Sequence, residues 1–323
     1  MPKHGLLVRA GALFLLAAVV PAAAPGQGTG LTGGIILELP PGARALGLGG
    51  AYAAVVGDAG SVFVNPAGMA PIRRLAVDVS WERALLGTTF TTAAAAMRVG
   101  RFTFGAGAAL LDFGGDSVIR VSDLDPDVGE ATGELITAYQ ALAVGAVAYR
   151  RGMISLGASV KALREHIGYG APTGWSATGA AGDIGAAIAV FDIMALGVVV
   201  QNLAGTIRTS DSERMPMPRT TRVGFTLNFI DPQGTARFMT TTDLVSPPGG
   251  DRYWAMGFEG GAVVSGMGAT GRLGLSLGRR ATDRRGIVYG GTLQVRSFRL
   301  DWSYQPYDHI GGASHRFGAR WIL

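Results

Sequence analysis

Two short glycine motifs carry the most specific enzymatic signals in the chain. Residues 274–278 read Gly-Leu-Ser-Leu-Gly, the pattern of a nucleophile elbow, in which a sharp strand-to-helix turn presents a serine. Residues 266–271 match the dinucleotide fingerprint, which needs a strand before it and a helix after it. However, apolar alternation runs straight through Ser276, and no helical pattern follows residue 271. We therefore predict that neither motif is catalytic, that the chain is not an enzyme, and that Ser276 is a lumen-facing strand residue.

Metal and cofactor chemistry has little support in the residue types. The chain has no cysteine among its 323 residues, which excludes thiolate metal sites and disulfides. Its histidines are widely spaced: His4, His166, His309 and His315. Asp123, Asp125 and Asp127 alternate and offer oxygen ligands to Ca²⁺, but the glycine and glutamate of an EF-hand loop are missing. A solvated acidic loop is the favoured interpretation, and we expect no metal and no cofactor.

The first 26 residues are predicted to be a cleaved signal peptide. Lys3 and Arg9 precede an apolar run over residues 11–20, which Pro21 and three alanines follow, as in secretory signals. A transmembrane anchor is the alternative, but the run is shorter than the roughly 20 residues of a spanning helix. Without these two cations the net charge falls from +5 to +3. With only 16% charged residues, we expect no nucleic-acid partner.

Apolar residues recur at every second position from about residue 72 to the end of the chain. This period is typical of β-strands, because successive side chains point to opposite faces. We predict about fourteen strands, near residues 74–82, 87–99, 101–112, 132–150, 152–164, 175–190, 193–203, 219–230, 236–245, 251–263, 266–279, 285–296, 297–305 and 312–323. Short turns connect successive strands at one end of the sheet. Longer polar loops, near residues 113–131, 165–174 and 204–218, connect them at the other end.

Short turns at one end and long loops at the other predict an all-β fold, a transmembrane antiparallel up-and-down β-barrel over residues 72–323. A soluble β-sandwich is the alternative, but its strands usually have about 5 or 6 residues, and several runs here are longer. One face of the strands carries glycine, serine, threonine and charged residues, which suits a crowded polar lumen. Aromatic residues near strand ends suit the girdles of a membrane barrel: Trp81, Phe229, Trp302, Tyr304 and Trp321.

Residues 27–71 do not alternate, and we predict that this segment, the hatch, plugs the barrel. A lumen of about fourteen strands is too wide for side chains alone to fill; an N-terminal tail on the surface is the alternative. Pro66 biases Asn65 towards an extended conformation, and Gly68 permits a positive φ. The candidate site residues of the hatch are Gly42, Arg44, Gly47, Gly49, Gly50, Asp58, Asn65, Pro66 and Gly68.

Charged residues on the inner face form a second candidate set: Asp78, Glu82, Arg222, Arg299, Asp301, Arg316 and Arg320. If the last hairpin turns near residues 308–309, Asp301 lies opposite Arg316, where the pair sets strand register or lines a polar passage. An unpaired buried charge is costly. We therefore expect Arg44 to pair with a lumen carboxylate such as Asp78 or Glu82.

Residues 42–69 resemble the amino-terminal motif of the PorV/PorQ family, within the wider FadL/OMPP1 superfamily of outer-membrane transporters. Further stretches similar in kind are residues 197–203, 217–224, 302–307 and 314–318. The resemblance implies a hatch that plugs a fourteen-stranded barrel.

Resemblance to PorV implies a part in type IX secretion, in which the barrel binds exported cargo proteins and passes them on at the cell surface. The partners would then be outer-membrane lipid, secretion components and cargo. The alternative is FadL-like transport of long-chain fatty acids or other hydrophobic small molecules, which leave sideways into the bilayer. A structural porin-like protein is less favoured, because a plugged lumen does not conduct freely.

Overall fold

The alternating segments form strands in which one set of side chains faces inwards and the other outwards. In the strand Leu75–Arg83, Asp78, Ser80 and Glu82 are buried, whereas Val79 and Trp81 are exposed. The computed structural model describes residues 32–84, 87–121, 129–169, 174–190, 193–231, 234–278, 286–307 and 312–323. The expected signal peptide, the acidic stretch 123–127 and the turn at 308–309 lie outside the described residues.

Fifteen strands follow one another along the described chain. They are β1 (Leu75–Arg83), β2 (Thr89–Val99), β3 (Phe102–Val121), β4 (Gly129–Arg151), β5 (Ile154–Tyr169), β6 (Gly174–Val190), β7 (Met194–Thr209), β8 (Arg214–Pro216), β9 (Thr220–Ile230), β10 (Ala236–Ser246), β11 (Tyr253–Val264), β12 (Met267–Leu277), β13 (Ile287–Val295), β14 (Phe298–Pro306) and β15 (Ala313–Ile322). None of the helices in this part of the chain is long and apolar enough to cross a bilayer.

The strands close into a barrel. Neighbours in sequence pair antiparallel, β6 pairs with β7, and β1 pairs with β15, with Val79 opposite Ala319. The short β8 pairs only with the far end of β7, so fourteen main strands make the wall. Closure pairs both terminal strands, β1 and β15, so that neither is left as the open edge that a sheet surrounded by lipid must avoid. The predicted antiparallel barrel of about fourteen strands is confirmed.

The outer surface of the wall carries an apolar band. Val160 and Leu293 expose about two thirds of their surface, which is typical of side chains that face lipid. Of the five predicted girdle residues, Trp81, Phe229, Trp302 and Trp321 are exposed on this face. Tyr304 is half-buried, because its ring packs against His315 and Tyr289.

In their described parts, the three polar stretches predicted as long loops are largely strand, and those predictions are wrong. β3 and β4 have 20 and 23 residues and continue as a hairpin to residues 121 and 129. β5 extends to Tyr169, and β7 extends to Thr209. In the β3–β4 hairpin, register shifts between Asp112 and Gly115 and between Ser117 and Ile119 interrupt the apolar alternation that marks a strand, yet the backbone ladder continues. The barrel is therefore tallest from β3 to β7.

The described part of the hatch, residues 32–71, is folded inside the barrel. It contains two short helices, α1 (Gly42–Gly47) and α2 (Ser61–Val64), and two 3₁₀ turns, Ile35–Leu37 and Pro66–Met69. Asn65 is extended, and its side-chain oxygen accepts a hydrogen bond from the N–H of Ala67. Every residue from 58 to 70 is buried.

Gly68 does not use a positive φ, in contrast to the sequence prediction, because its backbone continues the 3₁₀ turn. A Cβ at this position would lie 2.7 Å from the carbonyl oxygen of Val55 and 2.8 Å from Oγ of Ser61. The glycine is therefore required by the close approach of two hatch segments.

The lumen is divided into an apolar half and a charged half. Apolar hatch residues such as Val62 and Met69 pack against the inner faces of β2 to β5, where Phe90, Leu111 and Leu142 are buried. On the opposite side, β9 to β15 present charged and hydroxyl side chains to the hatch. The candidate functional site lies on this charged side and at its border with the apolar side.

Candidate functional site

A closed ring of six buried charges joins the hatch to the wall. Going round the ring, each arginine contacts two carboxylates: Arg44, Asp58, Arg320, Asp301, Arg272, Glu259 and back to Arg44. Two members belong to the hatch, and four belong to β11, β12, β14 and β15. With three cations and three anions, the six-charge ring has no net charge.

The hatch contributes the two residues that close this ring. Nη1 of Arg44 lies 3.0 Å from Oδ2 of Asp58, and its Nε lies 3.1 Å from Oε2 of Glu259. The same Oδ2 of Asp58 lies 3.0 Å from Nη1 of Arg320 on β15. The short helix α1 carries Arg44, and a turn stabilised by the N–H of Gly60 holds Asp58.

The wall completes the ring with hydrogen-bonded side chains. Arg272 lies 2.7 Å from Glu259 and 3.0 Å from Asp301, and Thr292 hydrogen-bonds to both Arg272 and Asp301. Burial alone would raise the pKa of the Asp58 carboxyl, but Arg320 and Arg44 hold that pKa below its usual value. Asp58 is therefore charged at neutral pH. Removing one member of a buried pair typically costs about 3–5 kcal/mol, because its partner stays buried without compensation.

Arg44 pairs with a lumen carboxylate, as expected, but both partners named as examples are wrong. It contacts Glu259 of the wall and Asp58 of the hatch rather than Asp78 or Glu82, because α1 directs its side chain towards β11. Asp78 instead lies beneath Gly42, where a Cβ would be 3.3 Å from its carboxylate.

The predicted Asp301–Arg316 pair fails because the register of the last hairpin differs by two residues. Asp301 lies opposite Gly318, and Ser303 lies opposite Arg316. Arg316 is fully buried, pairs with Glu82 on β1, and donates to the carbonyl oxygens of Pro40 and Gly42. It therefore forms a second connection between wall and hatch.

Asp243 on β10 is a third connection. Its Oδ2 accepts hydrogen bonds from the backbone N–H groups of Tyr52 and Ala53, both at 2.9 Å. Beside it, Arg222 on β9 donates to the carbonyl oxygen of Gly50 at 3.0 Å and to Gln201 at 3.1 Å. Because the hatch turns here without its own backbone ladder, the wall supplies the hydrogen-bond partners that its buried amides need.

Several hatch residues are held by hydrogen bonds between side chains and backbone. Ser303 donates to the carbonyl oxygen of Ala43. Ser276 does face the lumen and donates to the carbonyl oxygen of Gly49 at 3.1 Å. Asn65 bridges hatch and wall, because its Nδ2 donates to the carbonyl oxygens of Ala53 and Ala186.

Glycines on the inner wall make room for the hatch backbone. A Cβ on any of these strand glycines would come within 3.0 Å of a hatch backbone atom: Gly157, Gly197, Gly224, Gly257 and Gly274. Gly274 faces Gly49, whose own φ is +66° and whose Cβ would lie 2.7 Å from the backbone nitrogen of Leu275. These strand glycines thus serve close backbone packing between wall and hatch.

A small cavity lies where the apolar and charged halves of the lumen meet. Its volume is about 30 Å³, and its lining combines apolar residues of the hatch and wall with polar wall residues. They include Ile36, Leu39, Phe63, Phe90, Leu142, Lys161, Gln201 and Arg222. A benzene-sized guest occupies a cavity of about 150 Å³. The hatch therefore leaves room only for water in this conformation.

The wall next to this cavity has an irregular seam. β7 pairs with β9 only up to Gln201, and the register between β6 and β7 shifts around Gly182. Asn202 and Ala204 follow with positive φ values of 57° and 52°. Across the seam, Nδ2 of Asn202 donates to the carbonyl oxygen of Pro218 at 2.8 Å, and the N–H of Met217 donates to the carbonyl oxygen of Gly205 at 3.0 Å. We call residues 202–205 and 217–219 the β7–β9 seam.

The structure brings most of the predicted charges together around the hatch, with one exception. Arg299 is half-buried and hydrogen-bonds to Gln294, outside the six-charge ring. Gly47 packs against Arg272 and Ser303, and Pro66 starts the second 3₁₀ turn.

His315 lies on the outer face, where it stacks on Trp302. Within the described residues, no group of three or more potential metal-ligating side chains is present.

Sequence reasoning missed several buried polar residues of the wall. They are Glu259 and Arg272 of the ring, Asp243, and a hydrogen-bonded group of Ser159, Lys161, Asp183 and Asn202. Each strand member of this set occupies an inward position in the period-two pattern. That pattern, applied to every charged residue of the strands, would have found Glu259 and Arg272.

Comparison with known proteins gives similarity in structure and none in sequence families. No protein-family model matches the chain, and no curated protein sequence matches it. The toluene transporter TbuX of Ralstonia pickettii aligns with a TM-score of 0.60 and 14% identity over 88% of this chain and 99% of its own. The P. putida toluene transporter TodX gives 0.58 and 11% over 88% and 99%.

A Pseudomonas aeruginosa FadL homologue aligns with a TM-score of 0.53 and 13% identity, over 87% of this chain and 98% of that one. At these identities the similarity demonstrates a common fold. The chain is a closed antiparallel β-barrel of fourteen main strands, and it shares that fold with FadL-like transporters.

Proposed function

We propose that the chain is an outer-membrane transporter that takes up small hydrophobic molecules through a lumen controlled by the hatch. The observation that carries the proposal is the apolar-lined cavity between hatch and wall, inside a barrel of the fold found in the toluene transporters. The apolar outer band supports a membrane location. We further propose that residues 1–26 direct export, that residues 27–71 act as the hatch, and that residues 72–323 form the barrel.

Uptake requires the hatch to move, because the cavity is too small for an organic molecule. The segment over residues 36–41 lines the cavity and contains no member of the six-charge ring. Its contacts include one hydrogen bond from the N–H of Ile36 to Gln140 and the bonds from Arg316 to the carbonyl oxygens of Pro40 and Gly42. Displacing this segment, together with the nearby residue Ala43, would enlarge the cavity.

The β7–β9 seam is the proposed exit towards the bilayer. Gln201, which ends the β7–β9 ladder, also lines the cavity. Beyond it, the wall is joined by the Asn202–Pro218 bond and by a backbone bond from Met217 to Gly205 rather than by a continuous ladder. An apolar molecule in the enlarged cavity could pass from there into lipid without crossing the ion pairs on β11 to β15.

A reversible cross-link between hatch and wall tests this proposal. The chain has no cysteine, so Ala43→Cys with Gly318→Cys introduces a single possible disulfide, and the Cβ positions lie 3.2 Å apart. In cells that lack other routes for hydrophobic compounds, the barrel should support uptake of labelled toluene or a long-chain fatty acid. The oxidised double variant should lose that uptake and regain it after reduction.

Each single cysteine variant serves as the control, because it changes the same positions without forming the cross-link. Uptake that is unaffected by the cross-link would contradict hatch movement. Failure of the unmodified barrel to raise uptake of either compound above that of cells without it would contradict the transport function itself.

The PorV/PorQ interpretation stays a prediction that rests on the sequence resemblance. A strain without this chain would retain exported proteins in its periplasm if type IX secretion were the function. Normal secretion combined with reduced uptake of hydrophobic compounds would favour transport.

A further inference from the structure

Four arginines form a positively charged cleft at the end of the barrel that carries the short turns. Arg98 and Arg101 flank the turn between β2 and β3, and Arg150 and Arg151 precede the turn between β4 and β5. Together with Gly152 they line an open cleft of about 390 Å³. We call these four residues the turn arginines.

Backbone and side-chain bonds fix the turn arginines beside one another. The N–H of Arg150 donates to the carbonyl oxygen of Arg101 at 3.2 Å, which aligns the two turns. Nε of Arg98 donates to the carbonyl oxygen of Gly100, and Nε of Arg150 donates to that of Gly152, both at 3.0 Å. These bonds use the Nε donors of Arg98 and Arg150 and orient the remaining donors of the two guanidinium groups. A guanidinium group presents its donors as a fork that matches phosphate oxygens.

No carboxylate compensates this charge in the part of the chain that the structure describes. Among the described residues, no ion pair includes a turn arginine. Like charges on neighbouring strands are destabilising unless an anion lies between them. The arrangement therefore favours an external anion.

The position of the cleft identifies the kind of anion. Phe102 and Tyr149 are cross-strand neighbours on the outer face, with ring centroids 5.2 Å apart, and each is adjacent to a turn arginine in sequence. Exposed Ile154 and Leu156 continue the apolar surface away from the cleft. Aromatic rings of membrane barrels lie at the level of the lipid headgroups. The turn arginines are thus at the depth of lipid phosphates.

We propose that the turn arginines bind the phosphate groups of an anionic phospholipid in the leaflet next to the short turns. In outer-membrane barrels the short turns face the periplasm, where the leaflet consists of phospholipid. Two pairs of guanidinium groups suit a lipid with two phosphates, such as cardiolipin, because each arginine can donate two parallel hydrogen bonds to one phosphate. The acyl chains would then cover the apolar surface around Phe102 and Ile154.

Native mass spectrometry of the purified full chain in detergent tests the proposal. Cardiolipin, phosphatidylglycerol and phosphatidylcholine are titrated separately. We expect one cardiolipin to bind most tightly and phosphatidylcholine to bind most weakly. Arg98→Gln with Arg150→Gln should weaken cardiolipin binding on the order of tenfold or more, since charge-assisted hydrogen bonds are lost. The exposed pair Arg101→Gln with Arg151→Gln should weaken it in the same direction, and both substitutions leave the backbone bond between Arg150 and Arg101 in place.

The matched control is Arg237→Gln with Arg296→Gln, which removes two exposed arginines near other short turns of the barrel. This variant should bind cardiolipin as the unmodified chain does. Equal cardiolipin binding by all variants would overturn the proposal. Displacement of the lipid by millimolar inorganic phosphate would also overturn it, because the site would then be one for the free ion. Neither result depends on whether the barrel transports anything.

Discussion

Replacing Asp243 by alanine should release the middle of the hatch from the wall. The Asp243 carboxylate is fully buried and accepts the N–H groups of Tyr52 and Ala53, each at 2.9 Å. Both hatch residues are themselves buried. Asp243→Ala therefore leaves two buried amides without their acceptor.

The size of the effect follows from these two bonds. A hydrogen bond to a charged group contributes about 1.5–3 kcal/mol, so two contribute about 3–6 kcal/mol. Removing the buried carboxylate also removes its desolvation cost, which offsets part of that sum. Arg222, whose Nη1 lies 3.9 Å from Asp243, keeps its bond to Gly50. We expect the free energy that holds this part of the hatch closed to fall by about 2–4 kcal/mol.

Hydrogen–deuterium exchange of the hatch peptides measures this change. Each 1.4 kcal/mol is about a tenfold change in the opening equilibrium, so exchange at Tyr52 and Ala53 should accelerate about 30-fold or more. Asp243→Asn keeps one oxygen acceptor and should give a smaller acceleration. Peptides of β2 and β3, remote from Asp243, report on the wall and should not change. Unchanged exchange at Tyr52 and Ala53 in the alanine variant would refute the reasoning.

Three further predictions concern the same interface. Arg316→Gln leaves Glu82 buried without its cation, so the free energy of unfolding in urea should fall by about 3 kcal/mol or more; an unchanged value would contradict the pairing. The pKa of Asp58 is lowered in the folded state, so the charged carboxylate contributes its full stabilisation above about pH 4, its usual pKa range. That stabilisation is lost as the pH falls towards the lowered pKa. Urea unfolding should show this loss of stability in acid, and Asp58→Asn should abolish the loss. Gly274→Val places a side chain into the backbone of Gly49 and should speed hatch exchange, whereas the same change at Gly145, which has no hatch contact within 4 Å, should not.

The wall was predictable because period two is a local property of the sequence. The side chains of β1 alternate between lumen and exterior as their types require, and the turns at Gly100 and Gly152 have the expected positions. The long β3–β4 hairpin was not predictable, because register shifts between Asp112 and Gly115 and between Ser117 and Ile119 break the apolar period. Backbone pairing with β4, rather than side-chain burial, maintains β3 beyond the apolar band.

Ion-pair partners were not predictable because they depend on register and on how the hatch folds. The register of the last hairpin differs from the predicted one by two residues. Such a shift leaves every side chain on the same face of the sheet, but it gives Asp301 a different partner, Arg320 instead of Arg316. Period two alone cannot detect a shift of two. The partners of Arg44 depend on α1, a helix of six residues, which is too short for a periodic signal.

The seating of the hatch on inner-wall glycines has a consequence for biogenesis. The segment is synthesised before every strand. Seven strands approach its backbone or bond to it: β5, β7, β9, β10, β11, β12 and β15. If the barrel closed first, the folded hatch could not enter the lumen to form those contacts. We therefore expect the strands to assemble around the hatch, with the ladder between β1 and β15 forming last. The hatch then never has to pass through a closed barrel.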